Sequence, residues 1–294
     1  MKRRSTLPLG VDVGRSRTRV ALLERDKSGI PRLLAVAVRP SGPDPASAIA
    51  DARDELATRE RRCVLALGAP DTLVRTASFP AMGRAERERA ARYEAARFVP
   101  YPIAEGTIRV EPLGEGRCVI AVAHRPALES RIDAARKARL RPIAVDDGAF
   151  ALCRAFPHAD AVIDIGEDQT TLIVAGDPIP STRTFEIGGR AFTRAIVTAL
   201  GIDESVAEQR KRSIGLAGAG ERARDALVEQ LASALIETRA AARVELREIA
   251  LAGNGARLTG LPEALERAVQ IPVRLGALAP DAALDLPSDV VRAA

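Results

Sequence analysis

Apolar and polar positions along residues 161–174 alternate in blocks. AVIDI is almost continuously apolar, GEDQT is polar, and LIV is apolar again. A short apolar run on each side of a polar, Gly-containing turn predicts two tightly joined β-strands. Residues 9–24, LGVDVGRSRTRVALLE, have the same layout. Asp12 matches Asp164, Gly14 matches Gly166 and Thr18 matches Thr170, about half the chain apart. One Asp-x-Gly hairpin is an ordinary turn, since Asp and Gly suit turns. Two copies with the same apolar flanks, too far apart for a solenoid repeat, predict two related lobes. Such a turn gathers backbone N–H groups and one carboxylate at a point. The N–H groups suit a phosphate. The carboxylate repels phosphate unless a cation lies between them, which implies Mg²⁺.

The intervening pattern predicts strands over 31–38, 63–67 and 72–79, a helix over 44–60, and a charged helix over 84–98 stopped by Pro100 and Pro102. Residues 107–113 and 117–123 alternate apolar and polar around Gly114-Glu115-Gly116, a hairpin. A helix follows over 126–139, then a strand over 142–146 and a helix over 148–156. In the second half, strands are expected over 182–187, 248–252 and 272–276, with helices over 190–200, 203–212, 221–246 and 261–269. The expected domains are a first lobe over 1–70, an inserted α/β subdomain over 71–141, a return and crossover helix over 142–157, and a second lobe over 158–294. The tail is expected to be disordered from about 279.

Composition removes several classes. The hydrophobic share of 47% permits real cores, built from aliphatic residues because aromatics are 3% and Trp is absent. The net charge of +5 comes from arginine interspersed with acids, and no basic stripe with aromatics appears, so no nucleic-acid partner is expected. Cys63, Cys118 and Cys153 lie far apart without a C-x-x-C, which argues against a disulfide framework or zinc site. No apolar run reaches the ~20 residues of a membrane span, and no signal-peptide pattern opens the chain. Direct membrane insertion is therefore not expected.

Read together, VDVGRSRTR, FVPYPI, VDDGAFALCRA, DIGEDQTTLIV, FEIGG, AEQRK and LAGNGARLTGLPEAL resemble the motifs of the actin/Hsp70/sugar-kinase ATPase superfamily. Within it they look most like the PilM family of actin-like type IV pilus assembly proteins, related to FtsA. The resemblance spans about residues 8–277. It implies an α/β, actin-like ATPase fold with two lobes around a nucleotide cleft and an FtsA/PilM-type inserted subdomain. It further implies ATP or ADP with Mg²⁺ held by Asp12 and Asp164. Gly14, Arg15, Ser16, Gly166 and Thr170 would cradle phosphates, and Gly188 and Gly189 would lie near phosphate or ribose. Glu208 and Lys211 would reach the nucleoside, and Gly253, Asn254 and Gly255 would admit the adenine. The implied partners are the N-terminal cytoplasmic tail of a PilN-like inner-membrane protein, other pilus assembly proteins, and a further copy of the chain. The implied location is cytoplasmic, with peripheral recruitment to the inner membrane through the partner.

The chain departs from the family pattern in four places, one of them a tail without the family's closing Gly-Leu-Ala-like helix. Arg15 and Arg17 replace small polar residues. The adenosine loop is Gly-Asn-Gly, where Asn tolerates left-handed backbone. Gly148-Ala149 stands where related ATPases carry a water-activating side chain, with Asp147 one residue away. Lacking a positioned base would remove about 10²–10⁴-fold of rate, so at most a weak ATPase is expected. Three other readings remain open: a degenerate scaffold without nucleotide, a small-molecule kinase, which would need a catalytic carboxylate in a substrate loop, and an FtsA-like division protein, which would need a basic amphipathic tail.

Overall fold

A computed structural model describes residues 5–25, 31–242 and 245–276. The chain divides into two compact units, with the boundary between Ala151 and Leu152.

The first unit begins with β1 (Ser5–Thr6), β2 (Leu9–Val13), β3 (Arg17–Arg25) and β4 (Pro31–Pro40), followed by α1 (Pro45–Glu55) and β5 (Arg62–Leu67). Leu9, Val11 and Val13 point alternately inward, as the apolar spacing requires. They pack with Val20, Ile49 and Leu65 into one core. Asp44 caps α1, accepting from the Ala46 and Ser47 amides at 3.1 and 3.3 Å, and Pro45 suits the first helical position. The helix stops short of the expected residue 60, and Ala57 takes a left-handed φ of 46°.

Next come β6 (Thr72–Ser78), α2 (Arg84–Ala95), β7 (Gly106–Gly114), β8 (Arg117–His124), α3 (Arg125–Lys137), β9 (Arg141–Asp147) and α4 (Gly148–Ala155). Strands β6, β8 and β7 form a separate antiparallel sheet. It has its own core around Ala91, Ala95, Cys118, Ile120 and Val122. Strand β9 returns to the first sheet in parallel with β5. That sheet runs β4-β3-β2-β5-β9, with β1 added to the end of β3.

The second unit holds β10 (Ala161–Ile165), β11 (Thr170–Val174), β12 (Ser181–Phe185), α5 (Gly189–Leu200), α6 (Glu204–Ile214), α7 (Glu221–Ala242), β13 (Ile249–Ala252), α8 (Leu261–Val269) and β14 (Val273–Leu275). Its sheet runs β12-β11-β10-β13-β14. The core collects Ile163, Ile165, Leu172, Phe192, Leu227, Leu231 and Leu265. Helix α7 supplies Leu227, Leu231 and Leu235 at four-residue spacing, the apolar stripe of an amphipathic helix.

The two sheets share one design. In each, the hairpin's second strand pairs antiparallel with an outer strand, and its first strand pairs in parallel with a later strand that pairs in parallel with a further one. The expected strand over 182–187 ends at Phe185, and the helix expected to reach 246 is described over Glu221–Ala242, with residues 245 and 246 outside it. The expected disordered tail from 279 lies outside the described residues.

Candidate functional site

The first hairpin folds back with Val13 opposite Thr18 and Asp12 opposite Arg19. The Gly14 amide donates to the Arg17 carbonyl at 3.0 Å. Arg15 and Ser16 form the exposed tip. Asp12, half exposed, pairs with Arg19 at 3.1 Å. Thr18 is fully buried, and its hydroxyl lies 3.1 Å from that of Ser41. Ser41 in turn donates to the Gly14 carbonyl at 2.6 Å.

The second hairpin repeats this geometry. Ile165 stands opposite Thr170 and Asp164 opposite Thr171, and the Gly166 amide donates to the Gln169 carbonyl at 2.9 Å. Thr170, also fully buried, donates to the Ile187 carbonyl at 2.6 Å. The hydroxyl therefore ties the hairpin to the segment after β12. Gly189 donates its amide to the Gly166 carbonyl at 2.9 Å, and Arg190 donates its amide to the Glu167 carbonyl at 2.7 Å. A Cβ on Gly188 would stand 2.6 Å from the Glu167 carbonyl oxygen and 2.7 Å from the Gln169 nitrogen. Only glycine lets the turn lie that close.

The Gly-Asn-Gly loop closes on the same strand end. Gly253 has φ +80°, and a Cβ there would meet the Ile165 carbonyl and stand 2.5 Å from Asp164 Oδ1. Gly255 lies against Ile165, and Asn254 begins a short 3-10 turn over Asn254–Arg257. The structure thus gathers Asp164, Gly166, Gly188, Gly189, Gly253 and Gly255 at the carboxyl end of β10. In open α/β sheets this end of the strands is where ligands bind.

Glu208 and Lys211 reach this group through Gly189. Lys211 Nζ donates to the Gly189 carbonyl at 2.8 Å and to Thr193 Oγ1 at 2.7 Å. It also pairs with Glu208 at 2.6 Å. Thr193 donates to Glu208 at 2.6 Å. Burial works against the Glu208 carboxylate, but hydrogen bonds from Lys211 and Thr193, with the Lys211 charge, hold its pKa down at about 2.

Asp147 caps α4, accepting from the Ala149 amide at 2.9 Å and the Phe150 amide at 3.2 Å. Its other oxygen accepts from the Thr72 hydroxyl. Burial raises its pKa against these hydrogen bonds. The carboxylate is oriented toward its own helix terminus. An open groove of about 450 Å³ lies elsewhere, between α7 and α8, lined by Val228, Ala232, Ile236, Ala264 and Arg267 and by no residue expected to bind nucleotide.

With this geometry the chain matches a solved PilM–PilN type IV pilus biogenesis complex. The identity is 26% and the TM-score 0.82, over 97% of this chain and 94% of that one. The chain is PilM-like, with an actin-like ATPase fold. The PilM-like likeness is accompanied by a match of residues 161–291 to the family of the cell division protein FtsA. The ethanolamine utilization protein EutJ from Carboxydothermus hydrogenoformans aligns at 17% identity and TM-score 0.57, over 98% of this chain and 89% of that one. A non-polymerising MamK variant bound to AMPPNP aligns at 12% identity and TM-score 0.51, over 91% and 93%. These last two show the fold.

Three residues of this PilM-like chain were missed in the sequence reading. Arg19 follows from hairpin counting, since a turn with Val13 opposite Thr18 sets it across from Asp12. Ser41 and Arg190 carry no local signal, because each reaches its partner only through the tertiary fold.

Proposed function

We propose that the chain is a nucleotide-binding, actin-like scaffold in the inner-membrane assembly complex of a type IV pilus, or of a related secretion or competence system. The observation that carries the reading is the likeness to the PilM–PilN complex over nearly the whole of both chains. Residues 1–70 and 142–157 would form the first lobe, 71–141 the inserted subdomain and 158–294 the second lobe.

The ligand is ATP or ADP with Mg²⁺. Asp12 and Asp164 would be the carboxylates for the ion, and Gly14, Arg15, Ser16 and Gly166 would belong to the phosphate loops. Thr170 supports the second loop from below through its bond to Ile187. Gly188 and Gly189 stand beside that loop, and Gly253, Asn254 and Gly255 take the adenosine. Among the described residues, no group of three or more His, Cys, Asp or Glu could hold a metal ion. That fits an ion carried on the nucleotide, because Mg²⁺ keeps several waters and takes one or two carboxylates together with phosphate oxygens. Asp147 is committed to capping α4, so the nucleotide is a structural ligand more than a fuel. At a hundredfold excess over Kd such a ligand stabilises the fold by about 2.7 kcal/mol.

The partner is the N-terminal cytoplasmic tail of a PilN-like inner-membrane protein, docked between the first sheet and the inserted three-stranded sheet. Among the described residues no helix is long and apolar enough to cross a membrane. In this reading, recruitment to the membrane is by way of the partner.

A thermal melt with Mg·ATP tests the nucleotide reading, with Asp12→Ala and Asp164→Ala as controls. A wild-type shift that both variants lose is expected. No wild-type shift at millimolar nucleotide would leave a scaffold without nucleotide. Capture by the PilN-like peptide tests the partner. Capture that survives deletion of 71–141 would contradict the docking groove.

A further inference from the structure

We infer that Glu208 and Lys211 are positioning residues that set the second phosphate-type hairpin from behind. They are the far end of a polar strut running from α6 through the Gly188-Gly189 turn to the hairpin tip. The inference deepens the nucleotide-binding reading only in saying what the hairpin would hold; the strut itself belongs to the nucleotide-free protein.

The strut is continuous. Arg212 donates to Glu208 at 2.8 Å. Glu208 takes Lys211 at 2.6 Å and the Thr193 hydroxyl at 2.6 Å. Lys211 donates to the Gly189 carbonyl at 2.8 Å. The other side of the Gly189 residue, its amide, donates to the Gly166 carbonyl at 2.9 Å, and the next amide, Arg190, donates to Glu167 at 2.7 Å. The Arg190 guanidinium closes the path by pairing with the Glu167 carboxylate and with Asp168 at 3.3 Å. Each link from α6 to the tip of the hairpin is thus a hydrogen bond or an ion pair.

Three features favour positioning over direct contact with a nucleoside. The Lys211 side chain is only 12% exposed. Its ammonium has three donors, and Gly189, Thr193 and Glu208 supply three acceptors. Gly189 has ordinary contact room, its added Cβ meeting Lys211 Nζ and the Gly166 carbonyl at 3.6 Å each. The lysine therefore rests on the turn without being forced against it, as a support does. Removing the ammonium takes one donor from the Gly189 carbonyl and one from the partly buried Glu208 carboxylate, and the turn that fastens Gly166 and Glu167 loses its backing.

Amide hydrogen exchange on the nucleotide-free full chain tests this, comparing wild type, Lys211→Met and the milder Glu208→Gln. Exchange at residues 166–169, 189 and 190 is expected to speed up about tenfold or more in Lys211→Met. It should speed up less in Glu208→Gln, while the amides of β7 and β8 stay at wild-type rates. Equal acceleration throughout would mean general destabilisation and overturn the strut, as would unchanged exchange at 166–169. Binding of ATP, GTP and inorganic tripolyphosphate gives the second readout. A positioning role predicts that Lys211→Met weakens all three by a similar factor. A loss confined to ATP with unchanged exchange would make Lys211 a nucleoside ligand. If the wild type binds none of the three, the nucleotide reading fails while the exchange result still decides the strut.

Discussion

The two hairpins solve the same structural problem with different donors. Each ends in an Asp-x-Gly turn closed by a glycine amide, and each is anchored by a fully buried threonine, Thr18 or Thr170, to the segment after its outer strand. The turn carbonyl is held in both. In the first half the holder is the Ser41 hydroxyl, and in the second it is the Gly189 main-chain amide. The helices that follow differ accordingly. Helix α1 has its first amides filled by Asp44, whereas α5 gives its first amides to the carbonyls of Gly166 and Glu167. The carboxylates differ as well, Asp12 lying across from an arginine and Asp164 across from a threonine. The threonine that recurs in both halves is therefore an anchor of the hairpin, and the charges around the aspartate are where the halves diverge.

The sharpest way to break the parallel is to add one methyl group to each half. Gly188→Ala places a Cβ against backbone atoms of Glu167 and Gln169 that cannot move independently. It should cost about 3 kcal/mol in urea unfolding. Gly42→Ala, at φ +58° with nothing within 4 Å, should cost about 1 kcal/mol, from backbone strain alone. Equal costs would mean that the second turn is not wedged against its hairpin.

Acid separates the halves by sign. Glu208 is held at about 2, below its ordinary 4.5. Its contribution is present above pH 4.5 and is lost as pH falls toward 2, about 2 kcal/mol after allowance for partial exposure. Burial raises Asp147 above its ordinary 3.8. Its contribution runs the other way, fully present below 3.8 and lost as pH rises through the raised value. Stability measured against pH should therefore flatten at the acid end in Glu208→Gln, and Asp147→Asn should gain relative to wild type as pH rises. A Glu208→Gln profile identical to wild type would remove the first of these slopes.

The anchors should behave alike. Thr18→Val and Thr170→Val each remove a buried hydroxyl from a hydrogen bond and should cost about 1–2 kcal/mol in chemical unfolding. A large cost in one half and none in the other would end the equivalence. The smallest effect belongs to Arg19→Ala. Its pair with Asp12 is half exposed on the acid side, so the loss in the same assay should be about 0.5 kcal/mol or less.

Much of this was legible in the sequence because repetition doubles a weak signal. The matched Asp, Gly and Thr positions located both hairpins, and period-two alternation located the hairpin of β7 and β8. What escaped was set by contacts far apart along the chain. Nothing near Ser41 announces the Gly14 carbonyl, and nothing near Arg190 announces Glu167. Lys211 was visible as a candidate, but a lysine that meets a ligand and one that meets a main-chain carbonyl look the same in sequence. The glycines at 253 and 255 suggest room for an adenine in the sequence, and the close approach of Ile165 to both is a second demand on them that no local pattern announces.

The two ways of holding a turn carbonyl differ in heritability. A bond made by the Ser41 hydroxyl disappears with a single codon change at that position. A bond made by the amide of residue 189 uses no side-chain atom of that residue, and of the twenty residues only proline lacks its donor. The second bond instead depends on the glycine at 188, which lets the turn lie close enough for that amide to reach the Gly166 carbonyl.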